Sequence, residues 1–290
     1  GSLELLPAER LSALGLAGLV PSLQAIHQPD IGTSIADLLS GRHPAIRRLA
    51  FEELMAHHLS LRQKRSAIKS KPARSVRADA PVLRDFLDAL PFTLTQAQRT
   101  VIAEIQRDMQ LGHPMLRLVQ GDVGSGKTVV AAMAALSVIA AGGQAALMAP
   151  TELLAEQHAA TFSAWLAPLG IEVVFLAGKQ TAALKRKHLA RIADGASMII
   201  GTHALMQEHV RYRDLRLVMV DEQHRFGVHQ RLSLRDKGDE GEYSPHQLIL
   251  TATPIPRTLA MSAYADLDVS VIDQLPPGRM PVQTSAMANS

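Results

Sequence analysis

The stretch RLVQGDVGSGKT, residues 117–128, decides the fold. An apolar, strand-like run leads into two spaced glycines, a lysine and a threonine. Gly121, Gly126, Lys127 and Thr128 satisfy the spacing G-x-x-x-x-G-K-[ST], with Gly124 and Ser125 inside the loop. A tight loop that glycine permits turns successive backbone N–H groups toward an anion, and the start of the following helix adds its dipole. Lys127 is expected to reach the β- and γ-phosphates of a nucleotide, and Thr128 to place its hydroxyl on Mg²⁺. The required context, a strand before the loop and a helix after it, is met.

Outward from this loop the chain alternates between short apolar runs and helical segments. Strand candidates are residues 115–120, 144–150, 171–178, 197–202, 215–221, 247–253 and 268–273, with helices notably over 127–141 and 152–167. Alternation of this kind predicts an α/β fold: a mostly parallel sheet covered by helices on both faces. Ligands of such sheets sit at the carboxyl ends of strands, where the motifs fall. One of them is LRLVMVDEQH (215–224), which puts Asp221 and Glu222 at the mouth of a buried strand. Adjacent carboxylates there are costly unless a cation or a donor meets them. Asp221 is therefore assigned to Mg²⁺ and Glu222 to the attacking water as a base. His224 is expected to touch a neighbouring element, with Thr251 and Thr253 of TATPIPRT (251–258) as its partners.

Before residue 80 the character differs. HPAIRRLAFEELMAHHLSLRQKRSAIK (43–69) reads as one long helix opening at Pro44, with Ile46, Leu49, Ala50, Leu54, Leu61 and Ile68 roughly on a stripe. Short helices broken by Pro7, Pro21 and Pro29 precede it. Residues 62–77 carry seven basic side chains and no acidic one. That run is either a solvated helix end with linker or a segment that contacts nucleic-acid phosphates. The expected organisation is a helical segment over 1–80, a nucleotide-binding domain over 81–282 and a tail over 283–290.

Composition bounds the rest. With 47% hydrophobic and 20% charged residues, the 290-residue chain has enough apolar material for a core. No apolar run approaches the roughly 18 residues of a membrane span, and the amino terminus has no secretory signature. Without cysteine, disulfides and thiolate metal sites are excluded, which fits a cytoplasmic protein. The net charge of +3 permits a nucleic-acid partner without demanding one. The histidines form no ligand pair with a carboxylate at helical spacing, so a metal hydrolase is not supported.

RLVQGDVGSGKT, APTELLAEQHA, DEQHRFGVHQR, TATPIPRTLAM and IDQLPPGR together resemble the RecG family of bacterial branched-DNA helicases. The transcription-repair coupling factors share the motor type. They tend to carry a bulkier residue at Ser125 and an acid at Gln223, which favours the first resemblance. The resemblance implies a RecA-like P-loop NTPase domain binding ATP and Mg²⁺. It implies that Gln98 of PFTLTQAQR reads the adenine, with Phe92 as a possible stacking surface; the bland alternative is a helix-start glutamine facing water. It implies DNA-backbone contacts from Thr151 and Thr202, and places Arg225 and Arg231 near DNA or a partner domain. A second RecA-like motor domain and a wedge domain are implied partners, so that this chain, expected to be a monomer, binds ATP but hydrolyses it weakly alone. A non-motor module that holds nucleic acid through residues 62–77 is the competing reading.

Overall fold

A computed structural model describes residues 4–77, 81–222, 243–253 and 267–274. Seven strands form one sheet: β1 (Leu116–Gly121), β2 (Gln144–Met148), β3 (Val173–Leu176), β4 (Met198–Gly201), β5 (Leu215–Asp221), β6 (His246–Thr251) and β7 (Asp268–Ile272). Their order is β3-β4-β2-β5-β6-β1-β7, and every pairing is parallel. All seven expected strands are present, with ends shifted by a few residues.

The strand period of two sorts each strand's side chains between two cores. Leu147, Met198, Ile200, Leu217, Met219, Leu248 and Leu250 join one cluster; their neighbours Ala146, Met148, Ile199 and Val218 join the other. The first face receives α5 (Pro81–Ala89), α6 (Gln96–Met109), α7 (Lys127–Ala140) and α8 (Glu152–Leu166). The second receives α9 (Ala182–Asp194) through Ile192. Residues 129–138 of α7 are buried on every side. Four alanines there, Ala131, Ala132, Ala134 and Ala135, remove bulk where this helix crosses the sheet.

Chain contacts divide the protein into two compact units, with the boundary near Arg65. The first contains α1 (Ala8–Leu14), α2 (Leu19–His27), α3 (Ile35–Leu39) and most of α4 (Pro44–Lys69). The long helix is as expected; its apolar stripe is not. Leu54 is 66% exposed, whereas Arg48 is fully buried and ion-paired to Glu4 and Glu52 at 2.7 and 2.6 Å. A guanidinium can be buried this way only because carboxylates meet it.

The second unit contains the end of α4 and the sheet. Here the basic run is anchored to backbone: Ala73 N–H donates to Gly112 O, Val76 N–H to Met109 O, and Ser244 N–H to Pro72 O. Lys69 pairs with Asp268, and Arg74 pairs with Asp214 while its guanidinium lies 4.5 Å from the Tyr243 ring centroid. His246 completes the anchor. Its Nδ1 accepts from Met115 N–H at 3.0 Å and its Nε2 donates to Arg74 O at 3.1 Å. Intramolecular partners thus engage some of the charge that suggested phosphate contacts. Among the described residues no helix is long and apolar enough to cross a membrane.

Candidate active site

The loop after β1 has the geometry its glycines permit. Gly124 and Gly126 adopt φ of 79° and 88°, a region other residues enter only with strain. Gly126 stands at the N-cap of α7, so the helix begins at Lys127 with its free N–H groups at the loop. The Lys127 ammonium donates to the carbonyls of Gly121 (2.6 Å) and Asp122 (3.0 Å). Burial lowers its pKa, and the nearby charges of Asp221, Glu222 and Asp122 oppose that shift. Val119 of β1 and Asp221 of β5 both register with Leu250 of β6, so the loop that carries Lys127 and the two acids emerge at the same end of the sheet. Ser125 is buried, and its Oγ has no hydrogen-bond partner among the described residues.

Gln98 is 2% exposed, which excludes a glutamine facing water. Its Oε1 accepts from Thr95 N–H at 2.9 Å in a capping box that starts α6, and its Nε2 donates to Ser125 O at 2.8 Å. The side chain expected to read adenine therefore also clamps the phosphate loop to α6. Phe92 is 42% exposed and meets the Trp165 ring edge-on, with centroids 6.4 Å apart.

The two acids lie between β2 and β6 at the end of β5, and different elements hold them. Asp221 Oδ2 is 2.8 Å from His158 Nε2 on α8. Glu222 has a φ of 50°, strained for a non-glycine residue. Its N–H donates to Leu250 O, while its carboxylate accepts from Thr251 Oγ1 (3.3 Å) and Ala252 N–H (2.9 Å). Thr251 Oγ1 in turn accepts from Thr253 N–H at 3.1 Å. Contact between the acidic motif and the TAT motif thus runs through Glu222 itself. His224, Arg225 and Arg231 lie outside the described residues.

The two threonines expected at DNA differ. Thr151 is exposed and caps α8 by accepting from Leu154 N–H. Thr202 is 2% exposed with a buried hydroxyl, so its side chain does not reach the surface; the exposed neighbour is His203. His158 is the residue that motif reading missed. It sits on the buried stripe of α8 among Ala155, Phe162 and Leu166, and a lone imidazole in an apolar stripe was the available signal.

The residues fit a magnesium nucleotide. The loop offers backbone donors, a buried hydroxyl with no partner among the described residues and a partly desolvated lysine whose charge both carboxylates act on. Among the described residues no group of three His, Asp or Glu side chains is placed to hold a metal.

Fold and site together define a P-loop nucleotide-binding domain. Residues 95–262 match the family model of DEAD/DEAH box helicases. Over 99% of its length the chain is 56% identical to ATP-dependent DNA helicase RecG of Escherichia coli K12, of which it covers 41%. It is 54% identical, over 92% of its length, to the RecG of Haemophilus influenzae, covering 38% of that protein. A solved structure of RecG bound to a three-way DNA junction superposes with a TM-score of 0.79 at 38% identity, over 98% of this chain and 37% of that one. The chain belongs to the DEAD/DEAH box helicase family, on its RecG branch. It spans about two fifths of the length of the RecG relatives it matches.

Proposed function

We propose that this chain is the ATP-binding motor half of a DNA helicase that remodels branched DNA. The observation that carries the reading is the register that brings the ends of β1 and β5, and with them Lys127, Asp221 and Glu222, to the same end of the sheet on either side of β6. In this reading the loop N–H groups and Lys127 hold the phosphates, and Thr128 and Asp221 hold Mg²⁺. When bound, the cation would neutralise phosphate charge. Glu222 orients the attacking water, its carboxylate being fixed by bonds from Thr251 Oγ1 and Ala252 N–H. Gln98 and Phe92 contact the base, which favours ATP.

Thr251 and Thr253 relay the state of Glu222 to moving elements, with His224 as a further partner. Thr151, Thr202, Arg225 and Arg231 form the DNA side; because Thr202 is buried, it contributes by shaping the loop that presents His203. Branched DNA as the substrate is supported by similarity to a RecG bound to a three-way junction. A second motor domain, a wedge and a cytoplasmic location belong to the same reading; the proposed division near residue 80 differs from the contact boundary near Arg65, because residues 66–77 belong to the sheet-bearing unit.

Steady-state ATP hydrolysis, with and without forked DNA and beside Lys127→Ala, tests it. Turnover lost in the variant supports the assignment, and slow turnover supports the need for a second motor domain. Turnover unchanged by the substitution refutes the assignment.

A further inference from the structure

Two periodicities meet at one contact. Along β5 the alternation that sends Leu217 and Met219 to the core beneath α7 places Asp221 on that same face. Along α8 the buried stripe Ala155, Phe162, Leu166 includes His158, three residues after the first and four before the second. The result is the 2.8 Å contact between His158 Nε2 and Asp221 Oδ2, with both side chains 13% exposed. Nothing in phosphate binding uses this histidine. An imidazole facing a carboxylate oxygen at hydrogen-bond distance donates its N–H, and such a donor fixes the carboxylate's rotation.

We propose that His158 is a positioning residue for the cation: by holding Oδ2 of Asp221 it leaves the second oxygen as the metal-directed one. The inference rests on the reading that Asp221 holds Mg²⁺. His158 acts through Asp221 alone, as outer partners orient ligating carboxylates in metal sites generally. Because it sits on α8, it also ties the cation carboxylate to the helix whose start carries Thr151.

The test uses Mn²⁺ as the probe ion, its binding to the full chain saturated with ADP being read by electron paramagnetic resonance. ADP affinity in EDTA is measured alongside. The variants are His158→Ala, His158→Asn and His158→Gln, with Asp221→Asn as control. A glutamine amide reaches the position of Nε2, and an asparagine amide does not. Loss of the donor is expected to weaken Mn²⁺ by about 10- to 100-fold in the Ala and Asn variants. Affinity for ADP in EDTA stays unchanged, and Gln restores Mn²⁺ binding.

Wild-type Mn²⁺ affinity in His158→Asn, alongside loss in Asp221→Asn, overturns the role of His158 and spares that of Asp221. Equal losses in the Gln and Asn variants also overturn it, since packing would then be the cause. Undiminished binding in Asp221→Asn overturns the cation reading itself. Trp165 fluorescence melts show which variants are folded; should Ala not fold, the Gln and Asn pair decides.

Discussion

Replacing Gly126 with alanine separates backbone strain from a side-chain collision. At φ 88° an alanine incurs the left-handed penalty of about 1–2 kcal/mol. Its Cβ would also lie 2.2 Å from Gln98 Nε2, so the amide must move by more than an ångström to reach ordinary contact. That movement breaks the 2.8 Å bond to Ser125 O and strands a buried amide, adding about 1–3 kcal/mol. Gly142 supplies the control, because at φ 80° it has nothing within 4 Å of an added Cβ. Gly142→Ala should therefore cost only the backbone contribution, about 1–2 kcal/mol, and Gly126→Ala about 2–5 kcal/mol. In a Gln98→Ala background the excess should disappear, giving a coupling of about 1–3 kcal/mol. Trp165, the sole tryptophan, packs on Phe86, Phe92 and Phe162, so its fluorescence in urea reports the sheet-bearing unit. Equal costs at the two glycines, or an excess that survives without Gln98, would refute the clamp.

Three further outcomes are expected. Burial pushes the His246 imidazole down to about 4, with smaller contributions from His113 and Arg216 in the same direction and from Arg74 O and Asp108 against it. The unfolded chain then binds the extra proton, so the contribution is complete above about pH 6.5 and is lost as pH falls toward 4. It amounts to about 3 kcal/mol at about 1.4 kcal/mol per tenfold. Urea midpoints followed by Trp165 from pH 7.5 to 4.5 should show this slope, and His246→Asn should flatten it. Gln144 donates to Ile192 O and Ala196 O and accepts from the N–H groups of Arg213 and Asp214. Gln144→Leu strands four backbone groups and should cost about 3–5 kcal/mol by urea unfolding; a loss under about 1 kcal/mol contradicts that network. Thr251→Val removes the hydroxyl bond to Glu222 while Ala252 N–H still holds the carboxylate, so nucleotide affinity should persist and the hydrolysis rate should fall several-fold. A rate equal to wild type would sever the TAT motif from Glu222.

The sheet was legible because each strand is short, apolar and bounded by turn or helix signals, and because the phosphate loop fixes where strand becomes helix. Local spacing also singled out Lys127, Thr128, Asp221 and Glu222 as candidates. What spacing does not carry is the pairing of side chains distant in sequence. His158 and Asp221 lie 63 residues apart, and Gln98 and Ser125 lie 27 apart. Thr202 failed as a surface residue for a related reason: it follows β4, whose four residues are all buried, and the chain continues into Ala204 and Leu205, which are buried as well. The stripe on α4 misled because Arg48 found carboxylates and went inside, which a hydrophobic pattern does not anticipate.

Titration calorimetry of Mg²⁺–ATP into the wild-type chain and Lys127→Ala tests the central claim most directly. Saturable binding at one site, weakened at least about tenfold by loss of a charged hydrogen-bonding group, is the predicted result. No binding by the wild-type chain, or equal binding by both, would contradict the assignment of this cleft to a nucleotide.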